Sequence, residues 1–76
     1  MSQIYRLVTT TEDTIEGSLV DAIVAALSVA DRCRLVRPIV VLNDAGLRAE
    51  VLDNEVLSCT DPKASQEALR RWRENA

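Results

Sequence analysis

Between Ile15 and Ala30 the apolar side chains return at helical spacing. Ile15, Leu19, Ile23 and Leu27 stand four residues apart, and Val20, Val24, Ala26 and Ala30 widen the stripe beyond one face, which predicts a deeply packed helix. Two capping boxes compete for its start, Asp13 with Glu16 and Ser18 with Asp21. Gly17 lies between them, and glycine costs up to about 1 kcal/mol inside a helix. The regular helix is therefore predicted from Ser18, with a looser turn before it. Its end is predicted at Arg32-Cys33-Arg34, where cations suit the negative end of the helix dipole.

Outside that stretch the pattern is that of strands and turns. Residues 3–9, QIYRLVT, are rich in β-branched and aromatic types and are bounded by the polar TTTED, which predicts a first strand. Pro38 forbids a helix through LVRPIVVLN, so Ile39-Val40-Val41 is predicted as a strand with the proline at its first residue or on an edge. NDAG, residues 43–46, supplies turn formers, and LRAEVLD alternates Leu47, Ala49 and Val51 with Arg48 and Glu50; together they predict a hairpin with one face buried. Asp53-Asn54-Glu55 turns into a short further strand, EVLSC. Asp61 followed by Pro62 is the cap and first-turn proline of a last helix, with Ser65, Ala68, Leu69 and Trp72 on one face.

The predicted order is β-α-β-β-(β)-α over a single domain, residues 1–76. This is an α+β sandwich with two helices on one face of a three- or four-stranded, mostly antiparallel sheet, close to a ferredoxin-like βαββαβ order lacking its last strand. Such a sheet leaves two edges able to pair with another chain.

Composition adds limits. A chain of 76 residues buries only about 60% of the surface that its unfolded form exposes, so partner surfaces bear on its stability. The 47% hydrophobic content, with one Trp, one Tyr and no Phe, implies an aliphatic core. No apolar run approaches the ~18 residues needed to cross a bilayer, and the first residues lack the layout of a signal peptide, so the expected address is cytoplasmic with no membrane partner. In that compartment Cys33 and Cys59 are expected as reduced, buried thiols, a disulfide between them being the alternative.

Chemistry is sparse. With no His the commonest general base and metal ligand is missing, two cysteines 26 residues apart cannot build a structural zinc site, and Gly17 and Gly46 form no phosphate-cradling loop. Serines and threonines have no activating partners in the pattern, and the acids fall on turns and polar sides, where solvation keeps them ordinary carboxylates. The expectation is a non-enzyme with no cofactor and no metal.

Binding remains. The net charge of −3 conceals alternating blocks. Asp44, Glu50, Asp53 and Glu55 gather around the predicted hairpin, while Glu12, Asp13 and Glu16 crowd the start of the long helix, an arrangement that offers a negative surface to a protein partner with a basic one. A homodimer closed by an edge strand or by the Trp72 face is an alternative. A second is nucleic acid gripped by Arg70, Arg71, Trp72 and Arg73. The pI of about 4.8 opposes it, since such footprints sit above a pI of about 9. Those arginines also occupy the last turns of a helix, Glu67 stands four residues before Arg71, and Trp72 follows Ala68 and Leu69 on the apolar stripe. In size, charge and element order the chain resembles the small phage- or mobile-element-encoded inhibitors, anti-CRISPR proteins among them. The resemblance implies occupation of the basic surface of a nucleic-acid-handling machine.

Overall fold

The computed structural model describes residues 3–75. Its elements run β1 (Gln3–Val8), β2 (Glu12–Gly17), α1 (Leu19–Cys33), β3 (Ile39–Asn43), β4 (Gly46–Leu52), β5 (Glu55–Cys59) and α2 (Pro62–Glu74). The fold is α+β, with one antiparallel sheet ordered β2-β1-β3-β4-β5 and both helices packed on the same side of it. The sheet has five strands rather than three or four, and an N-terminal hairpin separates this order from the ferredoxin-like one.

The added strand is β2. Its sequence, EDTIEG, holds three acids and only two β-branched residues, a composition that reads as polar loop. It becomes a strand because β1 pairs with all six of its residues, from Gln3 opposite Gly17 to Val8 opposite Glu12. The Thr9–Thr11 turn closes that hairpin: the Thr9 N–H donates to the Thr11 carbonyl at 2.8 Å, and the Thr11 N–H donates to Thr9 Oγ1 at 3.2 Å. Ile15 therefore stands opposite Tyr5 in the sheet instead of beginning the helical stripe, and Asp13 caps nothing.

The cap at Ser18 forms as its spacing predicts. Ser18 N–H and Oγ–H both donate to Asp21 Oδ2, at 2.9 and 3.0 Å, and the Asp21 N–H donates back to Ser18 Oγ at 3.2 Å. The backbone bond from Ser18 is the chief reason the Asp21 carboxyl titrates below the usual carboxylate range. Gly17 makes this closure fit: its φ is +148°, and a Cβ there would lie 2.6 Å from Asp21 Oδ2. The helix ends on Arg34, whose left-handed backbone (φ 49°) directs its N–H to the Ala30 carbonyl at 3.1 Å.

Beneath α1 the core is made of Tyr5 and Leu7 of β1, Ile39 and Val41 of β3, and Ala49 and Val51 of β4, against Ala22, Ile23, Ala26, Leu27 and Ala30. The second helix buries Ala64 and Ala68, with Leu69 and Trp72 half-buried against the core. Asp61 caps it, accepting from the Lys63 and Ala64 N–H groups. Both cysteines are free thiols; Cys59 is half-buried but Cys33 is exposed, which corrects the buried-thiol expectation for Cys33. That residue falls on the solvent side of the last turn of α1, where the stripe has already passed to Ala30. Among the described residues no helix is long and apolar enough to cross a membrane.

Candidate functional site: the uncovered face of the sheet

Alternation along each strand sends one set of side chains towards the helices and the other to solvent. On β1 the outward set is Ile4, Arg6 and Val8; on β2 it is Glu12, Thr14 and Glu16; on β3 it is Val40 and Leu42. From β4 come Leu47, Glu50 and Leu52, and from β5 Glu55 and Ser58. No element covers this side among the described residues.

Its middle is largely apolar, interrupted by Arg6, and acids stand to either side. One row runs across all five strands as Glu12, Val8, Val40, Glu50 and Ser58, each directly opposite the next. The apolar pair Val8/Val40 thus lies between two carboxylates that three strand spacings, about 14 Å, separate. The next row is Thr14, Arg6, Leu42 and Leu47. Arg6 reaches diagonally to Glu12 (Nη1 to Oε1, 3.7 Å), so one of the face's cations is engaged by one of its acids. Three large apolar side chains on this side or its rim are well exposed, Ile4 at 61%, Leu57 at 51% and Leu47 at 43%.

Two bulges shape the face. Between Val41 and Leu42 the β3–β4 register slips, setting Leu47 and Arg48 against Leu42; between Glu50 and Val51 the β4–β5 register slips, setting Leu57 and Ser58 against Glu50. The first carries Arg48 back over the β3–β4 turn, where Nη2 donates to the Ala45 carbonyl at 3.2 Å. The second turns Leu57 out to solvent. Register slips of this kind leave no mark in a single sequence, and Leu57 went unpredicted as a surface residue for that reason.

The acids named from sequence are partly regrouped. Glu12, Glu16, Glu50 and Glu55 share the uncovered face, an arrangement that needed β2 to be a strand. Asp44 occupies the β3–β4 turn, beside Ile4 and Glu16 in a shallow hollow of about 480 Å³. Asp53, with φ 54°, occupies the β4–β5 turn. The seven residues of β4 hold those two turns about 20 Å apart, so the hairpin acids form a line along a strand and not one cluster. Asp13 points to the helix side and shares a groove with Ile15, Val29 and Arg32.

The alternative site is a helix surface held by its own ion pairs. Arg70 contacts Glu67 and Glu74, and Arg71 contacts Glu67 at 3.3 Å and Asp21 at 3.5 Å, which ties α2 to the first turn of α1. The guanidinium of Arg70 keeps the Glu67 carboxyl below the usual carboxylate range. Trp72 is half-buried, packed on the core and lining a hollow with Val24 and Ser28. Arg73 is exposed. Among the described residues no group of three or more His, Cys, Asp or Glu side chains is placed to hold a metal. No protein-family model, curated protein or solved structure matches the chain.

Proposed function

We propose that this chain is a small, non-enzymatic protein-binding module whose docking surface is the uncovered sheet face, acting in the cytoplasm. One observation carries the reading: the row Glu12–Val8–Val40–Glu50–Ser58 places an apolar strip between carboxylates on a side that the chain's own helices leave bare. An antiparallel sheet that simply faces water alternates apolar with polar. Here β3 is apolar on both sides, which points to a second covering layer supplied by another molecule.

The partner that fits is a protein with an apolar ridge bordered by Lys or Arg. Apolar burial supplies affinity, and the carboxylates of Glu12, Glu16, Glu50 and Glu55 set orientation and association rate. Nucleic-acid-handling proteins present basic surfaces of this kind, and blocking one of them is the concrete form of the proposal. In size and charge the chain suits an inhibitor.

The test is a capture from cell extract at low salt, followed by a salt titration and repeated with Glu50→Arg/Glu55→Arg. A captured protein released by roughly 0.5 M salt and lost to the double variant is the expected result. A complex indifferent to both contradicts the electrostatic part of the reading. Sedimentation at tens of micromolar gives the other outcome, because a dimer would put a second copy on this face in place of a foreign partner.

A further inference from the structure

The sheet has two outer strands, and they differ. β5 is interrupted by its bulge at Leu57, the usual way of blunting an edge. β2 is regular over all six residues, and among the described residues no strand pairs with its outer side. Every second residue of such an edge directs its backbone N–H and C=O outward, a template for one more strand.

A groove of about 520 Å³ runs beside that edge, between β2 and α1. Leu7, Ile15, Ala25 and Val29 give it an apolar floor, and Asp13 and Arg32 stand at its walls. A strand added to β2 would place alternate side chains over this groove and the others on the uncovered face, opposite Glu12, Thr14 and Glu16. We propose that the β2 edge and the β2–α1 groove bind an extended peptide segment by strand addition, with apolar residues in the groove alternating with Lys or Arg opposite Glu12 and Glu16.

Charge decides the occupant. The stretch Glu12–Gly17 carries three acids and no basic residue. A second copy pairing antiparallel through the same edge, centred on Thr14, would set each Glu12 against a Glu16, which destabilises cross-strand pairs. A basic strand gains at those same positions. This site shares Glu12 and Glu16 with the sheet face but adds the β2 backbone edge and the groove on the helix side, and it does not use Glu50 or Glu55.

The probe is an acetylated, amidated peptide of about eight residues alternating Val and Lys, long enough for one strand, titrated into ¹⁵N-labelled full-length protein. Saturable shifts at the amides of Glu12–Gly17 and of α1 along the groove are expected. Glu12→Lys/Glu16→Lys should weaken binding roughly tenfold, and Val29→Trp, which fills the groove, should weaken it at least as much. Glu50→Arg/Glu55→Arg should leave it within about twofold, since additive behaviour holds for separated sites; a failure of sheet-face docking would not touch this result. If Val29→Trp does not fold, the same peptide N-methylated at alternate residues serves on the unaltered protein and should not bind, because strand addition needs its N–H groups. The proposal is overturned by no saturation up to ~1 mM, by shifts centred on Val40 and Leu42, by a Val/Glu peptide binding as well as the Val/Lys one, or by undiminished binding of the N-methylated peptide.

Discussion

The two sides of β3 are both apolar, and only one has a cover. Ile39 and Val41, at 0% exposure, lie under α1, while Val40 and Leu42 on the same strand are only partly buried and have no helix over them. Residues of equal hydrophobicity thus do two different things. The covered pair supplies its full burial to folding; the outer pair supplies less from this chain alone and keeps apolar surface available to a partner.

That contrast sets the largest expected effect. Leu27→Ala or Ile23→Ala, both fully buried under the sheet, should cost about 2 to 5 kcal/mol in urea unfolding. Leu42→Ala should cost no more than about 1 kcal/mol. Equal losses would mean that the outer face is as much a core as the inner one. Gly17→Ala comes next, because it combines a φ of +148° with a Cβ 2.6 Å from Asp21. Its destabilisation should be about 1 to 3 kcal/mol by the same measurement. Gly46→Ala, at φ +111° in open space, should lose less, about 1 kcal/mol.

The helix layer also carries the pH response. Asp21 and Glu67 both titrate below the usual carboxylate range in the folded protein, through the Ser18 backbone bond and the Arg70 hydrogen bond. Their contribution is therefore present above the unfolded pKa, near pH 4, and is lost as pH falls through the folded values. Asp21 is exposed and Glu67 only partly buried, so solvent screens both and their weight is small. Asp21→Asn should flatten the acid limb of stability by about 0.5 kcal/mol. The smallest effect on folding belongs to the uncovered face: Leu57→Lys, at a residue 51% exposed, should shift unfolding by roughly 0.5 kcal/mol or less. The same variant should weaken partner binding at least tenfold, since a charge placed in the apolar part of an interface is left unpaired.

Much of this architecture was legible from residue spacing. The Ser18–Asp21 box and the Asp61-Pro62 start each satisfy orphan N–H groups locally, so their residues carry the signal by themselves. The NDAG turn is local too, with Gly46 at positive φ. β2 was not legible, because an acid-rich hexapeptide becomes a strand only through pairing with β1, and Ile15 fits a helical stripe as well as a strand. Missing β2 hid the site. With Glu12 and Glu16 read as the approach to a helix, nothing placed them beside Val8, Val40 and Glu50, and the two bulges that expose Leu47 and Leu57 depend on register alone. The Arg70-Arg71-Trp72-Arg73 segment closes α2, as the spacing predicts: Arg70 and Arg71 hold ion pairs and Trp72 packs on the core.

The most direct test compares the faces in the cell. A photo-crosslinking amino acid placed in turn at Leu42 and Leu57 on the uncovered face, and at Asp31 and Arg73 on the helix layer, reports which side meets another protein. Adducts to one foreign protein from Leu42 and Leu57, abolished by Glu50→Arg/Glu55→Arg, are the predicted result. Adducts arising from Asp31 and Arg73 alone, or from all four positions equally, would contradict it.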